Sequence, residues 1–261
     1  FEDISDWWKR ADKNTIAPVI AVPTTAGTGS EVGRASVLVD AVNKTKRIIF
    51  HPQILPKIVI LDPELTCSLP ASLTAGTGMD AFIHCLEAFC SPNFHPMSQG
   101  IAVEGMRLVF KFLKRAVDDG FDIEARARLL AAASMGAVAF QKGLGGCHAL
   151  SHPLGAVYGT HHGTTNAVLI PHILEMNRKV INSDIERLAP YFGISGGFDG
   201  FVASISRLNL ETGIPVSLAG LGINDLDIPQ IVNLAMIDPS GSTNPLKLSS
   251  ELLASVLEKS R

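Results

Sequence analysis

Long apolar runs are absent from this sequence, and so are paired cysteines and any large excess of charge of one sign. The 22 Lys and Arg residues nearly balance the 25 Asp and Glu residues, which gives a formal net charge of -3. Because these charges are interspersed, the sequence excludes the basic surface typical of binding to nucleic acid or to anionic membranes. No apolar stretch approaches the roughly 18 residues that a membrane-spanning helix needs. The expected partners are therefore a small molecule or another protein subunit.

Cysteine is scarce, and the four cysteines form no C-x-x-C pair. All four lie in apolar or helical stretches: Cys67, Cys85, Cys90 and Cys147. Such contexts favour reduced thiols in a cytoplasmic protein over a disulfide framework. We therefore predict a cytoplasmic protein whose cysteines are buried structural residues. Cys147 has the strongest case for a further role, because it precedes His148.

Hydrophobic residues make up 46% of the 261 residues, which is enough for a sizeable core. The first quarter of the chain alternates short β-branched runs with turns. This pattern predicts strands at residues 17–23, 34–40, 46–50 and 57–63. The first and last of these runs are apolar throughout, so we expect them to be buried on both faces of a sheet. A strand-rich piece of this length is too short for a usual parallel sheet and resembles the end of an α/β domain.

Helical periodicity replaces the strand pattern after Pro70. Apolar residues recur at helical spacing in residues 79–89, 97–117, 125–140, 183–192, 201–210 and 249–259, the last with a Ser N-cap. We therefore place a domain boundary near Leu69. The expected fold class is an α/β remnant plus an all-α domain. Residues 1–68 would be the C-terminal part of an α/β domain, and residues 69–261 an independent helical domain.

The pentapeptide TAGTG occurs twice, first at residues 25–29, directly after the first predicted strand. Loops of small residues and hydroxyls let backbone N–H groups approach phosphate oxygens closely, so this loop is a candidate phosphate-binding site. Neither standard phosphate motif is present. Gly27, Gly29 and Gly33 are one residue too widely spaced for the dinucleotide fingerprint, and no lysine follows for a P-loop. An ordinary turn from strand to helix stays open as the alternative.

The second copy of the pentapeptide, residues 74–78, leads into a predicted helix. Thr77 is a candidate N-cap, and Asp80, three residues later, would complete a capping box. Asp80 and His84 are also four residues apart, which places both side chains on one helix face about 6 Å apart, a spacing suited to a metal ion. Capping explains Asp80 alone, whereas a metal site explains both residues.

Four of the eight histidines fall within residues 147–163: His148, His152, His161 and His162. The first two are four residues apart and share a helix face. Three helix-disfavouring residues are expected to interrupt the helix before the last two histidines: Pro153, Gly155 and Gly159. Adjacent helical residues point about 100° apart, so at most one of the last two histidines faces the same site.

One carboxylate with several histidines, and without thiolate spacing, is typical of a site for a divalent cation such as Fe(II), Zn(II), Mn(II) or Co(II). Three or four protein ligands would leave room for an exchangeable oxygen, which metal catalysis needs. The spacing leaves open which of the clustered histidines take part. His51, His95 and His172 have no such neighbours, and we interpret them as surface or packing residues.

Three segments of the sequence stand out: PTTAGTGSEV, TAGTGMDAFIHCLEAF and CHALSHPLGAVYGTHHGTTNAVLIPHILEMN. They closely resemble the iron-containing (group III) alcohol dehydrogenase family, which includes lactaldehyde reductase. The similarity runs in the family's order over nearly the whole chain. It implies a dehydroquinate synthase-like, two-domain architecture and a homodimer. The implied function is that of a metal-dependent oxidoreductase, which transfers a hydride between NAD or NADP and a small alcohol or aldehyde.

The resemblance also assigns roles to individual residues. The family's metal ligands, for Fe(II) or Zn(II), correspond to Asp80, His84, His148 and His162. His152 corresponds to a histidine near the metal and the nicotinamide, where a role in proton relay is expected. The cofactor-lining positions correspond to Thr24, Thr25, Gly27, Thr28, Gly29, Ser30, Lys46 and Leu65. The two TAGTG copies are then expected to flank one active site, with cofactor on one side and metal on the other.

One departure from the family pattern concerns the cofactor. Family members carry a GGGS phosphate loop upstream of PTTAGTG, and this sequence begins after that position. The resemblance therefore implies complete metal ligands but an incomplete cofactor site. Two alternatives stay open. One is a metalloenzyme like glycerol dehydrogenase or dehydroquinate synthase, with one carboxylate and two histidines as ligands; the other is a catalytically incompetent metal-binding and oligomerisation fragment.

Overall fold

The computed structural model of the chain describes residues 16–40 and 45–261. Its strands are β1 (Ile20–Ala21), β2 (Ala35–Asp40), β3 (Thr45–Phe50) and β4 (Ile58–Val59). Its α-helices are α1 (Ala71–Cys90), α2 (Pro96–Asp118), α3 (Ile123–Ala139), α4 (Gly146–Tyr158), α5 (His162–Leu188), α6 (Gly197–Glu211), α7 (Ile228–Met236) and α8 (Ser250–Lys259). None of these helices is both long and apolar enough to cross a lipid bilayer.

The strands form two separate pairs at the positions that the sequence predicts. β1 pairs in parallel with β4, with Ile20 opposite Ile58, and β2 and β3 form an antiparallel hairpin. The expectation that the first and last strands are buried on both faces is wrong. Ile20 is 60% exposed and Ile58 is 53% exposed, because nothing in the described part of the chain covers this two-stranded parallel pair.

The helical part is built around α1, which is buried without interruption from Gly78 to Phe89. A helix that is apolar on nearly every side belongs in the middle of a core, since it has no face to offer to water. Helices α2, α3 and α5 pack around it. Polar residues on α1 therefore lie inside the protein, and each requires a partner there.

The TAGTG copy at residues 74–78 lies inside α1 and does not start it. The helix begins at Ala71, and the Thr77 hydroxyl donates to the Leu73 carbonyl 2.8 Å away within the helix. The predicted capping box of Thr77 and Asp80 is therefore wrong. The glycines, which disfavour helix in isolation, serve close packing: a Cβ on Gly78 would meet Leu113 Cδ1 at 2.4 Å.

Helix α4 differs from its prediction in a similar way. Pro153 and Gly155 do not interrupt it, and it ends only at Gly159, whose φ of 71° is left-handed. Proline removes one helical hydrogen bond, but Leu150 and Leu154 on either side of it are fully buried. Core contacts therefore hold both halves of the helix in place. His148 and His152 consequently share one face of a continuous helix.

Helix α5 also contains a proline, Pro171, and a side chain compensates for it. Because proline has no N–H, the carbonyl four residues earlier, that of Ala167, loses its helical partner. Asn209 Nδ2 on α6 donates to this carbonyl at 2.7 Å. The N-terminal part of α5, which begins with His162, is thereby tied to α6.

The remaining predicted helices lie in α2, α3, α6 and α8, and residues 183–192 complete α5 and continue as the 3-10 turn Ala189–Phe192. The predicted Ser cap of the last helix is present, since Ser249 Oγ accepts from Leu252 N at 3.3 Å. Helix α7 was not predicted. It follows the N-cap Asp227, whose side chain accepts from Gln230 N.

Candidate metal centre

Four side chains from three helices converge at one point. Asp80 and His84 project from α1, His148 from α4, and His162 is the first residue of α5. Each offers one ligand atom, and these four atoms lie within 4.8 Å of one another. From Asp80 Oδ1, the Nε2 atoms lie at 3.4 Å (His162), 3.7 Å (His148) and 3.8 Å (His84).

These separations fit a divalent metal ion. Ligand atoms that lie about 2.0 to 2.2 Å from a tetrahedral ion are about 3.3 to 3.6 Å apart, close to the three distances from Asp80 Oδ1. One carboxylate oxygen and three imidazole nitrogens form a donor set that suits zinc and the divalent first-row transition metals.

The centre has a closed side and an open side. Asp80, His84 and His148 are buried, whereas the His162 side chain is 38% exposed. The His84 and His148 rings stack with their centroids 4.7 Å apart, and the Phe140 ring lies 4.9 Å from His84. Within the described part of the chain, His162 is the one member of the group that is substantially exposed, and a small molecule would approach from its side.

The pKa values of the three histidines differ because their surroundings differ. Burial lowers the pKa of His84 to about 4 and that of His162 to about 3, despite the nearby Asp80 carboxylate. Burial also acts on His148, but contacts with Asp80 and Glu87 raise its pKa to about 9. Burial would raise the pKa of Asp80, yet the surrounding histidines hold it well below its ordinary value. The carboxylate is therefore ionised, and two of the three histidines are neutral at pH 7.

Glu87 also contacts the centre, although the sequence did not predict it. It lies on the same face of α1 as Asp80 and His84, and its Oε2 is 2.6 Å from His148 Nδ1. Its other oxygen, Oε1, accepts from Cys147 N at 2.8 Å. A carboxylate at Nδ1 directs the Nε2 lone pair of a histidine towards a metal. The spacing of Asp80, His84 and Glu87, at positions i, i+4 and i+7, is the signal that could have identified it.

Asn166 is a second residue that the sequence analysis missed, one turn after His162 on α5. Its Nδ2 is 3.0 Å from Asp80 Oδ1 and 3.1 Å from His162 Nε2. The Cys147 thiol donates to the backbone carbonyl of Asn166 at 3.3 Å. Burial raises the pKa of Cys147 well above its usual value, so this thiol stays protonated. Cys147 is thus a structural thiol that orients Asn166.

Glycines allow α1 and α5 to cross closely at this centre. A Cβ on Gly163 would lie 2.1 Å from the Gly76 carbonyl oxygen and 2.9 Å from Asp80 Cβ. Any larger residue would push the helices apart, which would separate Asp80 from His162. The second TAGTG therefore helps to bring the ligand atoms together.

The remaining clustered histidines have different places. His161 is the N-cap of α5, where its Nδ1 accepts from Thr164 N, and it is outside the group of four. His152 lies at the open side, with its ring stacked on the His162 ring at 5.3 Å between centroids. His152 Nδ1 is 2.9 Å from Asp238 Oδ2. Asp238 lies 86 residues further along the chain, and no local sequence pattern points to it.

The histidines outside the cluster agree with their interpretation as packing or surface residues. His51 caps a 3-10 turn by accepting from Gln53 N, and His95 caps α2 by accepting from Ser98 N. His172 is partly buried, which lowers its pKa. These residues contribute to the ends and surfaces of helices.

The first TAGTG packs against α1, which carries Asp80 and His84, and against the neighbouring helix α3. A Cβ on Gly27 would meet Thr77 Cβ at 3.0 Å, and Gly29, whose φ is 65°, packs against the Ala133 carbonyl of α3. The residues with hydroxyl groups face outwards, since they are all exposed: Thr24, Thr25, Thr28 and Ser30. Glu31, just beyond, is buried and accepts from Ser134 Oγ at 2.6 Å. The loop backbone is therefore held against the helices, while its hydroxyl groups face solvent.

The other two predicted cofactor positions are less informative. Leu65 is 44% exposed, in the 3-10 turn Pro63–Thr66. Lys46 belongs to β3, but its side chain lies outside the described part of the chain. Neither residue makes a described contact with the four convergent side chains.

Two family models match this chain. A model described as "Iron-containing alcohol dehydrogenase" matches residues 1–63, and one described as "Fe-containing alcohol dehydrogenase family, C-terminal" matches residues 74–261. The chain belongs to the iron-containing alcohol dehydrogenase family. Within that family, the centre of Asp80, His84, His148 and His162 lies entirely in the part that the C-terminal model matches.

Curated relatives include 4-hydroxybutyrate dehydrogenase of Cupriavidus necator, 40% identical over 254 residues, and 1,3-propanediol dehydrogenase of Klebsiella pneumoniae, 35% identical over 254 residues. Each alignment covers 94% of this chain and 66% of the relative. NAD-dependent methanol dehydrogenase of Bacillus methanolicus is 34% identical over 251 residues, which are 93% of this chain and 66% of that protein. The chain thus spans about two thirds of the length of these iron-containing alcohol dehydrogenase relatives.

Solved structures of the family share the fold. A 1,3-propanediol oxidoreductase superposes with a TM-score of 0.91 at 35% identity, over 95% of this chain and 67% of that one. A sulfoacetaldehyde reductase from Bifidobacterium kashiwanohense, in complex with NAD+, gives a TM-score of 0.87 at 30% identity, over 93% of this chain and 64% of that one. The predicted architecture, an α/β remnant followed by a helical part, is therefore confirmed as that of iron-containing alcohol dehydrogenases.

Proposed function

We propose that this chain supplies the metal centre and part of the nucleotide site of an NAD-dependent alcohol dehydrogenase that interconverts small alcohols and aldehydes. The observation that carries the proposal is the convergence of four ligand atoms within 4.8 Å at the open edge formed by His162. When bound, a divalent metal supplies polarisation of the substrate oxygen, and a nicotinamide dinucleotide exchanges a hydride with the substrate carbon. The chain's own residues hold and orient these groups.

The proposed ligands are Asp80, His84, His148 and His162. The first three are buried, so they exclude water from one side of the site, and the exclusion of water strengthens the electrostatic effect of a bound cation. The exposed edge at His162 would leave a position for the substrate oxygen. Fe(II) is our first choice of metal because of the family, with Zn(II) as the second, since the donor set accepts both.

His152 is the proposed proton relay. It lies at the open side, against the His162 ring, where a substrate hydroxyl would approach. A histidine suits this task because it exchanges protons near neutral pH. We propose Nε2 as the atom that takes the proton from an alcohol and returns it to the forming alkoxide in the reverse direction.

The first TAGTG loop is the proposed cofactor contact on this chain, through the exposed hydroxyls of Thr24, Thr25, Thr28 and Ser30. Gly27 and Gly29 anchor the loop on the helices, and Lys46 and Leu65 complete the proposed set. NAD is preferred over NADP because a methanol dehydrogenase among the relatives is named NAD-dependent and a reductase of similar fold holds NAD+. The names of the relatives, which act on 4-hydroxybutyrate and 1,3-propanediol, favour a small alcohol as substrate.

The proposal also includes a division into two domains, at residues 1–68 and 69–261, together with a homodimeric state and a cytoplasmic setting. The division is supported by α1, which begins at Ala71 and is the centre of the helical core. The four cysteines form no disulfide, which supports an intracellular setting. The prediction that all four are buried is wrong for Cys67 and Cys90, which are half-buried, and holds for Cys85 and Cys147.

Metal analysis tests the centre. The purified chain, loaded with Fe(II) under anaerobic conditions, should hold about one metal ion per chain, and His148→Ala and His162→Ala should lose most of it. His161→Ala is the matched control, because it removes the neighbouring histidine, which caps α5 and does not join the group. Equal metal content in all four proteins would refute the ligand assignment.

Titration with NAD(H) distinguishes the dehydrogenase from the alternative of a metal-binding fragment. Binding of NAD(H), together with turnover of a small alcohol, supports the proposal for this chain. Retained metal without NAD(H) binding assigns the chain to the fragment class.

A further inference from the structure

The contact between His152 and Asp238 lies beside the centre but outside the group of four ligands. His152 Nδ1 is 2.9 Å from Asp238 Oδ2. The other oxygen, Asp238 Oδ1, accepts from Ser240 N at 2.9 Å and so caps the 3-10 turn Pro239–Thr243. Both carboxylate oxygens therefore have defined partners, and the carboxylate cannot rotate away from His152 without losing the cap.

Two other rings contact the His152 imidazole. It stacks on His162 with an interplanar angle of 12° and meets His148 edge-on, with centroids 5.8 Å apart. No described residue makes a hydrogen bond with His152 Nε2, whereas Nδ1 is engaged. Of the two ring nitrogens, only Nε2 is therefore available to a substrate.

The chemistry of the Asp238 side chain decides which nitrogen carries the proton. Burial would raise the pKa of Asp238, but hydrogen bonds from His152 and Ser240 hold it below its ordinary value, so the group is an ionised carboxylate near neutral pH. An ionised carboxylate only accepts hydrogen bonds. The hydrogen in this contact must therefore sit on Nδ1.

We propose that Asp238 is a positioning residue that holds His152 in the Nδ1–H tautomer, with the Nε2 lone pair directed to the open side of the metal centre. This inference rests on the proposed dehydrogenase function and deepens it. In alcohol oxidation, the hydroxyl proton passes to His152 Nε2 while a hydride leaves the carbinol carbon for a nicotinamide dinucleotide. The proton and the hydride together account for the two hydrogens lost when the carbonyl forms, and reduction reverses both transfers.

Asp238→Asn is the decisive variant because it changes the proton pattern and keeps the shape. The asparagine oxygen can still accept from Ser240 N, since Asn is as good a cap as Asp. Its amide nitrogen then faces His152 and can only donate. His152 Nδ1 must accept, which moves the proton to Nε2. In serine proteases, the same exchange beside the catalytic histidine leaves the geometry intact and lowers kcat about 10⁴-fold through the wrong tautomer.

The tautomer can be read directly by nitrogen NMR of the full chain labelled with ¹⁵N-histidine, loaded with diamagnetic Zn(II) at alkaline pH. His152→Gln identifies the His152 resonances by their loss. We expect the Nδ1–H form in the unsubstituted chain and the Nε2–H form in Asp238→Asn. Asp227→Asn is the matched control, because Asp227 caps α7 through Gln230 N in the same way without a histidine partner.

Three results would overturn the inference: Nε2–H or an equal mixture in the unsubstituted chain, the same tautomer in Asp238→Asn, or an equal shift in Asp227→Asn. A repeat in metal-free protein separates this test from that of the proposed function. If the chain binds no metal, the dehydrogenase proposal fails, while the tautomer shift still reports on the Asp238–His152 pair. If metal is bound and the tautomer does not change, only the role of Asp238 fails.

Discussion

Replacement of Glu87 by glutamine should weaken metal binding without changing the shape of the core. Glu87 accepts two hydrogen bonds, from His148 Nδ1 at 2.6 Å and from Cys147 N at 2.8 Å. Glutamine has one accepting oxygen and one donating nitrogen. If the glutamine oxygen accepts from Cys147 N, its nitrogen faces His148 Nδ1 and can only donate. His148 Nδ1 must then accept, so the ring proton moves to Nε2, which can no longer bind a metal. If the oxygen stays on His148, two N–H donors face each other in a buried site.

Either arrangement carries a cost that can be bounded. Glu87 and His148 are both buried, so water cannot replace the lost acceptor. Loss of the hydrogen-bond partner of a metal-bound histidine typically lowers metal affinity about 10- to 100-fold. At about 1.4 kcal/mol for each factor of ten, this corresponds to roughly 1.4 to 2.8 kcal/mol in the free energy of metal binding.

Competition with a chelator of known affinity measures the change, with Zn(II) or Co(II) as the probe. Glu104→Gln is the matched control, because Glu104 pairs with Arg107 on the exposed side of α2 and the chemical change is identical. Its metal affinity should equal that of the unsubstituted chain. A Glu87→Gln protein that folds normally and binds metal as tightly as the control would refute the idea that Glu87 orients His148.

Three further predictions concern protons, packing and capping. Because the pKa of His148 is raised to about 9, metal binding at pH 7 should release about one proton, and the release should fall to none well above pH 9. Calorimetry in buffers of different ionisation enthalpy measures the number of protons released. No release at pH 7 would contradict the raised pKa of His148. Gly163→Ala places a Cβ 2.1 Å from the Gly76 oxygen. It should therefore destabilise the fold by about 1 to 3 kcal/mol and reduce metal content. An unchanged melting temperature would show that α1 and α5 can separate freely. Ser249→Ala removes the cap of α8. In denaturant titrations, the free energy of unfolding should fall by about 1 kcal/mol, while metal content stays constant. A loss of metal would contradict the independence of α8 from the centre.

The sequence predicted most elements of the fold because periodicity is a local property. Residues 97–117 have an apolar stripe at helical spacing, and they form the greater part of α2. Thr77 shows where local reasoning fails. It resembles an N-cap, but residues 74–76 are buried in the core and the helix extends back to Ala71. Pro153 fails for the same reason, since tertiary contacts preserve a helix that the proline alone would end.

The candidate site was partly predictable for a similar reason. Asp80 and His84 share a helix face, and the sequence shows this directly. The choice of His162 over His161 depended on family resemblance, and in the structure it follows from the exact start of α5. Asp238 could not be predicted, because its approach to His152 depends on how a loop 86 residues away folds back.

The contact between Gly27 and Thr77 has a consequence for the proposed reaction. Thr77 precedes Asp80 by three residues, which is about 4.5 Å along a helix axis, and the Gly27 backbone lies directly on Thr77. Helix α1 therefore positions both the loop that we propose contacts the dinucleotide and the side chains that we propose hold the metal. A bulkier residue at position 77, which is neither a proposed ligand nor a proposed cofactor contact, would change the separation between these two groups. In the proposed dehydrogenase, residues around the substrate could then vary while this separation stays constant.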